Sequence, residues 1–555
     1  MSFLGVVLYC IGLGSFFSYP HMAPDTYVSE NALGIGGFNF YFSEPELKSG
    51  IQFTNQYINK QNTLKEATKE RWMQETTEWL QEKLVEMGFE AYGYSFGYNE
   101  SRCWVVYATV RAPRSDSSGA FLIGAQYEEI YSSNREKDVS AVGLAVSLMG
   151  FLRSKNWLSR DYHFVFTPAH LRDVGMNSWL EGYHSNCKDM EDFVRGPIWT
   201  GINVQLELPT MSSFSGIYVN PEGAFGQLPN LDVLNTVFRV AYYENVKDIG
   251  LNSPEQLPKF FDNFPTEMKT LLNFMKNQAF GTCYGNHAMF AIYGIDGFTM
   301  TAKSGPLLNI WKFGRIIEGS TRSFNSILEH LHQSFYFYLL PAPFKYVSIG
   351  NYMISLGLML LGPFLYSTFV LFNSSKTSLV YSFLQSFIAF SGCGAIYAFP
   401  FTYHRIYPAV QQQQLLLCWL TFCIFALIAM GISFKRVNYF ISSFSDEPRH
   451  NQKRTLYALT LGFVICFLAV FSSLNFSFIV LCSSIFLPYT LAVAASGRAG
   501  GSLLVLLALG AIGSTLKDLP LHDFINSNLQ YGTLLLPFFG FIHLPITLLL
   551  LLYLF

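Results

Sequence analysis

The sequence predicts a membrane protein with a large water-facing α/β domain and an all-α bundle of about eight transmembrane helices. Three observations predict it. Charged residues make up 13% of the 555-residue chain, about half of the roughly 25% usual in soluble domains. They are also segregated, with 61 in residues 1–345 and 13 in residues 346–555. Finally, apolar runs long enough to cross ~30 Å of hydrocarbon occur once before the charged part and repeatedly after it.

The first run is Phe3–Tyr19, read as an uncleaved signal anchor because no small-residue cleavage site precedes Pro20. The later runs are Tyr346–Phe372, Ser378–Phe399, Leu415–Phe434, Thr455–Leu474, Phe476–Ala495 and Gly532–Phe555, with a shorter one at Leu503–Leu516. The expected organisation is therefore a span in 1–19, a water-facing domain in 20–345, and about seven spans in 346–555. Orientation follows from Lys435, Arg436, Arg449, Lys453 and Arg454, whose clustering in one loop marks it as cytosolic. Counting back through three spans places Pro20–Lys345 on the opposite side, and both termini fall in the cytosol.

After Pro20 the sequence reads as a polar linker. A helix follows over Asn62–Met87, where Leu64, Trp72, Trp79, Leu80, Leu84 and Val85 recur at roughly helical spacing and Gly88 stands as the C-cap. Strands are expected at Cys103–Val110, Ala120–Ala125, Tyr162–Phe166 and Ile202–Leu208, with helices at Val139–Arg153 and Met176–His184 between them. Such alternation predicts a mixed sheet with helices on both faces.

Bulk chemistry removes several functions. Residues 1–345 carry a net charge of −7 and lack a Lys/Arg-rich run, which disfavours nucleic acid as a partner. Cys103, Cys187 and Cys283 are the only cysteines in the water-facing part, residues 20–345, without CxxC or Cys/His spacing, so neither a disulfide framework nor a zinc knuckle is indicated. The spans contain almost no charged residues, whereas ion-coupled transporters place ionisable groups at membrane depth. The sequon Asn99-Glu100-Ser101 is a candidate glycosylation site.

Polar groups that suit chemistry collect where the strands should end, the usual place for a site in such sheets. Gln126, Glu128 and Glu129 follow one strand, Asp138 opens the next helix, His170 follows another strand, and Ile202–Leu206 leads into Glu207. Gly285-Asn286-His287 comes much later and precedes Ala288–Ile292. In order, FLIGAQYEE, REKDVSAVGLAV, FVFTPAH, GINVQLE and GNHAMFAIYGIDGFTM resemble the blocks of the co-catalytic di-zinc aminopeptidases. That resemblance implies an aminopeptidase-like fold for the water-facing domain. It also implies a metal site, but Gln126 and Glu128 stand where the family has His and Asp. His170 and Leu171 replace a Glu-Glu pair, and Gln205 or Glu207 takes the fourth ligand's place. Asp138 and His287 are kept. A neutral amide is a poor zinc ligand, and losing the Glu pair removes a general base. The expectation is no cofactor and no catalytic residues, with these groups as hydrogen-bonded remnants. The alternative is a membrane-tethered metallo-aminopeptidase or one-metal amide-forming enzyme, holding a single zinc on Asp138, His287 and Glu207 or His170.

A second resemblance covers nearly the whole chain. Thr26-Tyr27-Val28-Ser29-Glu30-Asn31-Ala32-Leu33, Arg111-Ala112-Pro113-Arg114, Ser178-Trp179-Leu180-Glu181-Gly182-Tyr183-His184 and Gly226-Gln227-Leu228-Pro229-Asn230-Leu231-Asp232 occur in order. With the span pattern, they look like the glycosylphosphatidylinositol (GPI) anchor attachment family of the GPI transamidase complex. The resemblance implies a non-catalytic endoplasmic-reticulum subunit whose large domain is luminal. Its implied partners are the other transamidase subunits, including a Cys-protease-like catalytic one, the GPI glycolipid, and precursors with a carboxyl-terminal signal. No nucleophile is evident here. Cys283 and His287 lie in an apparent loop, and Ser304 lacks the strand-turn-helix elbow of a hydrolase serine. In the last span, Pro537, Gly540, His543 and Pro545 break the apolar pattern and are the candidate lipid-binding residues.

Overall fold

In a computed structural model of the chain, the described residues are 3–554 apart from 36, 38, 99–100, 114–118, 134, 186–189, 191–195, 253–262, 282–284, 328, 332–335, 408–411, 444–447, 496–537 and 539–541. The chain divides into an α/β unit, Met22–Asn277 with Gly281–Ser348, and a helical unit, Met1–His21 and Gln278–Phe280 with Ile349–Phe555.

The region read as a polar linker carries the first helix of the α/β unit. After α1 (Phe3–Met22), α2 spans Glu44–Thr63. Its start is chemical: Ser43 and Glu46 form a capping box, and a proline occupies the first turn. Leu47, Gly50, Phe53, Tyr57 and Ile58 are buried along one face, a stripe sparse enough to be masked by the polar residues between them. The helix expected over Asn62–Met87 is shorter, because Thr68 accepts from the Arg71 N–H and starts α3 at Lys69–Glu86.

The sheet has eight strands, β1 (Glu90–Tyr98), β2 (Ser101–Val110), β3 (Ala120–Tyr127), β4 (Asp161–Pro168), β5 (Ile198–Leu206), β6 (Ser213–Asn220), β7 (Asp248–Leu251) and β8 (Asp296–Asn309). Their order across it is β1-β2-β4-β3-β5-β8-β6-β7. The centre, β4-β3-β5-β8, is parallel, and antiparallel pairs flank it, so the sheet is mixed. Every residue of β4 is buried, as expected of a strand covered on both faces. Helices α4 (Ala141–Arg153), α5 (Val174–His184), α6 (Leu231–Tyr243), α7 (Thr266–Phe280) and α8 (Trp311–Asn325) complete the unit's helices. Trp179 and Tyr183 of α5 pack with Val105, Tyr107, Leu122 and Val165 on one face. From the other face Tyr162, whose ring lies tilted against Phe121, donates to the Thr321 carbonyl of α8. A small hairpin of β9 (Tyr338–Ala342) and β10 (Lys345–Ser348) follows.

The helical unit contains α9 (Ile349–Phe372), α10 (Lys376–Ile406), α11 (Gln412–Ser442), α12 (Arg449–Phe471), α13 (Phe476–Ala495) and α14 (Leu544–Leu554). The expectation of about eight spans is not met among the described residues. Four helices, within α9 to α12, are long and apolar enough to cross a membrane. Leu503–Leu516 lies outside the described residues, as does most of 532–541, and the described end of the last apolar run carries α14.

Candidate functional site

The parallel strands bring four of the candidate segments to one end of the sheet. Gln126 is the penultimate residue of β3, Thr167 stands at the same level of β4, and Gln205 near the end of β5. There Gln126 Nε2 donates to Asn286 Oδ1 at 3.0 Å and to the Arg172 carbonyl at 3.2 Å. Gln205 Nε2 donates to Gln126 Oε1 at 2.9 Å, and Asn286 Nδ2 donates to Thr167 Oγ1 at 2.8 Å. Arg172 holds φ at 52°, a rare conformation for a non-glycine residue, while its carbonyl takes the amide hydrogen. The result is a closed amide–hydroxyl network.

His287 belongs to a different cluster. Its Nδ1 lies 2.6 Å from Thr299 Oγ1 and its Nε2 lies 3.0 Å from the Glu222 carbonyl oxygen. A carbonyl only accepts, so Nε2 carries the proton, and Thr299 donates to Nδ1. Asn203 Nδ2 donates in turn to Thr299 Oγ1 at 3.1 Å. Burial lowers the His287 pKa to about 4, against a weaker opposing effect of the Glu222 carbonyl. Burial also raises the Glu222 carboxyl to about 7, although its Oε1 accepts from Asn252. The turn that sends Asn286 and His287 to different partners depends on Gly285. Its φ is +108°, and a Cβ there would meet Thr299 Oγ1 at 2.3 Å.

The other transferred positions are dispersed. Asp138 is buried before α4, with Oδ2 accepting from the Arg135 N–H at 3.1 Å and from Thr210 Oγ1 at 3.4 Å. Ser140, not Asp138, caps α4. His170, in the turn Ala169–Leu171, sets its ring edge-on to Trp72. Burial, then Lys69, holds its imidazole below the usual range. Glu128 is half-buried, which pushes its carboxyl up. Glu207 is exposed and accepts from the Ser304 N–H inside β8. Of the two candidates for a fourth ligand, Gln205 joins the Gln126 network and Glu207 does not. Among the described residues, no three His, Cys, Asp or Glu side chains are grouped to hold a metal ion. The donors at the strand ends are amides and hydroxyls already bonded to one another, a set that does not fit zinc.

Sequence reasoning gave no part to Thr167, Glu222 and Thr299 and named Asn286 only as a neighbour of His287. All but Glu222 stood inside the quoted blocks FVFTPAH and GNHAMFAIYGIDGFTM. Asn99, Cys187, Cys283, Pro537 and Gly540 lie outside the described residues. Cys103 is a buried free thiol whose pKa is raised by that burial. Of the lipid candidates, Pro545 is buried and His543 is buried edge-on to Phe486 of α13 at 5.3 Å.

Two of the quoted strings meet. Asp232 opens α6 and accepts from the Ser29 N–H, the Ser29 hydroxyl and the Glu30 N–H at 2.7–3.1 Å. Asn235 Nδ2 donates to the Tyr27 carbonyl at 2.8 Å and Arg239 Nη2 to the Thr26 carbonyl at 3.0 Å. Positions 232, 235 and 239 share one face of the helix. The segment after α1 is thus strapped along α6 by three side chains at helical spacing.

A family model described as "Gaa1-like, GPI transamidase component" matches residues 104–513. The GPI transamidase component gaa1 of Schizosaccharomyces pombe is 27% identical over 367 residues, covering 64% of this chain and 61% of that protein. The GPI transamidase component GAA1 of Saccharomyces cerevisiae is 28% identical over 334 residues, covering 59% and 50%. The matches therefore span less than two thirds of either relative. Among solved structures, Porphyromonas gingivalis glutaminyl cyclase aligns over 51% of this chain and 98% of its own, with 11% identity and a TM-score of 0.33. The Legionella pneumophila LapA aminopeptidase aligns over 53% and 78%, with 12% identity and a TM-score of 0.32.

Proposed function

The chain belongs to the Gaa1-like family of GPI transamidase components, and from that premise we propose that it acts as a non-catalytic subunit of a GPI transamidase in the endoplasmic-reticulum membrane. In this reading the complex cleaves a carboxyl-terminal signal from a precursor and joins the new end to the GPI ethanolamine. The cysteine-protease chemistry resides in another subunit. The α/β unit faces the lumen and holds partners and precursor, and the apolar helices present the glycolipid.

The observation that carries the reading is the family match over residues 104–513, which runs through both the α/β sheet and the apolar helices. The site chemistry agrees with a scaffold. Gln126, Gln205, Asn286 and Thr167 satisfy one another, and hydrogen-bonded amides supply neither a metal cage nor a base. The tethered-aminopeptidase alternative gains no supporting observation.

The test is a mild-detergent pull-down of the full chain from cells making GPI-anchored proteins, with mass spectrometry of bound proteins and lipids. Recovery of a Cys-protease-like chain together with GPI is expected. A chain that emerges alone, carries stoichiometric zinc and releases amino-terminal residues from peptides would replace this reading with the aminopeptidase one.

A further inference from the structure

The polar pocket at one end of the apolar helices has no role in the reading above. It has a volume of about 190 Å³ and lies between the end of α9, the start of α10 and the first turns of α12. Phe369, Asn373, Ser374, Ser375, Asn451 and Arg454 contribute to its lining, and among the described residues no carboxylate does. Its walls are built by internal bonds. The Ser374 and Thr455 hydroxyls bond at 2.8 Å, and Asn373 Nδ2 donates to the Phe369 carbonyl at 2.8 Å. Thr455 is buried, so these bonds fix the pocket's base where the helices pack.

The exposed Arg454 guanidinium has neither an ion pair nor a hydrogen bond among the described residues, and the exposed Asn451 side-chain amide makes no bond there either. A guanidinium brings five donors in a planar fork that suits phosphate oxygens. An apolar surface adjoins this anion-seeking group. Leu365, Phe369 and Phe372 on the last two turns of α9 are 50%, 64% and 86% exposed. A free anion makes use of the guanidinium and leaves those rings bare. A phosphate esterified to acyl chains uses both.

We propose that this pocket holds the phosphate of a bilayer phospholipid. Arg454 pairs with the phosphate, Asn451 adds a neutral donor, and Phe369 and Phe372 lie against the chains. Lys435, Arg436, Arg449, Lys453 and Arg454 fall within one twenty-residue stretch that also holds Asp446 and Glu447, a net positive field that draws anionic lipids to the same end of the bundle. The inference needs only a membrane setting and stands independently of the transamidase reading.

The experiment reconstitutes the full chain in nanodiscs of phosphatidylcholine with a minority of phosphatidic acid and counts retained lipids by native mass spectrometry. One basic side chain at an anionic surface changes affinity about fivefold. At least a loss of that size is expected for Arg454→Gln, with Arg454→Lys retaining part of the binding and Arg436→Gln, which only thins the surrounding field, losing distinctly less. Equal losses at 454 and 436 would reduce the site to diffuse surface charge and overturn the proposal. Displacement of the lipid by excess inorganic phosphate would reassign the pocket to a free anion. Should Arg454→Gln fail to fold, Asn451→Leu carries the test: it fills the pocket without removing charge, and undiminished retention would sink the idea.

Discussion

The two units differ in how far their polar side chains reach. In the α/β unit, side chains reach across the fold. Asp232 holds the backbone of Ser29 and Glu30, Glu318 of α8 takes the Tyr41 and Phe42 N–H groups, and Tyr338 reaches the Pro229 carbonyl. In the helical unit, hydroxyls turn back onto their own helix. Thr368 bonds the Phe364 carbonyl, Ser391 that of Phe387, Ser433 that of Ala429 and Thr460 that of Leu456. Hydrocarbon offers no water to a stray hydroxyl, so the nearest carbonyl takes it. Among the described residues, helix-to-helix bonds such as Ser367 Oγ to the Ala458 carbonyl at 2.7 Å, Gln385 Nε2 to Asn438 Oδ1 at 2.8 Å and Trp419 Nε1 to the Ile396 carbonyl at 3.0 Å then add specificity, together with close backbone approach. A Cβ on Gly362 would lie 2.5 Å from the Gly5 Cα. Water-facing polar groups thus specify a fold at long range, whereas lipid-facing ones are mostly neutralised in place.

The largest contrast is expected in buried and exposed rings of the two units. Trp179→Ala empties the centre of the α5 face and costs about 3–5 kcal/mol. Phe425→Ala on α11, where the ring is 72% exposed, changes stability by less than about 0.5 kcal/mol. Thermal unfolding of the detergent-solubilised full chain measures both, and equal shifts would break the comparison.

Next comes the strap. Asp232→Ala removes a carboxylate that accepts three hydrogen-bond donors, at a cost of about 2 kcal/mol. Limited proteolysis should then cut first within residues 26–33, and a first cut elsewhere would show that α6 does not hold this segment.

The Glu222–His287 cluster makes stability depend on pH in two opposed ways. A carboxyl raised to about 7 keeps its proton in the folded chain after the unfolded chain has lost it, above about pH 4.3. Stability from Glu222 is therefore highest below that value and falls as pH rises toward 7. An imidazole lowered to about 4 stays neutral in the folded chain while the unfolded chain protonates below about pH 6.5. Its contribution falls as pH drops from 6.5 toward 4. Between about pH 4.3 and 6.5 the two slopes offset each other, so single replacements unmask them. Glu222→Gln should leave stability rising with pH across that range, and His287→Gln should leave it falling. Melting temperatures of the full chain from pH 4 to 8 read both slopes, and an unchanged profile in either variant would remove that group from the account.

The smallest effect sharpens the helical side of the comparison. Ser367→Ala strips the Ala458 carbonyl of an interhelix donor and costs about 1 kcal/mol, whereas Ser391→Ala removes only a self-bond on an exposed turn and is near neutral. Melting of the two variants in one detergent compares them directly, and a costlier Ser391→Ala would contradict local satisfaction.

Much of the architecture was legible because it is periodic or compositional. The central strands β2 to β5 and helices α4 and α5 announce themselves through apolar runs bounded by turns. Strand β8 does not, since Lys303, Ser304, Gly305 and Pro306 interrupt it, yet pairing with β6 and β5 carries it through to Asn309. Strand β1, rich in Tyr and Gly with most positions exposed at the sheet edge, shows no apolar alternation to read.

The site was legible only as a set of strand ends. By itself the sequence determined which residues avoid water, where the charged and apolar parts separate, and which segments end near a common edge, because those properties belong to local patterns of side chains. Tertiary structure decided which partners each group meets. Strand order β4-β3-β5-β8 put Gln126 between Gln205 and Asn286, and the left-handed turn at Gly285 turned His287 away to Thr299 and Glu222. The physical reason is that a hydrogen bond depends on atoms within about 3 Å, and chain spacing says nothing about which distant residue arrives there.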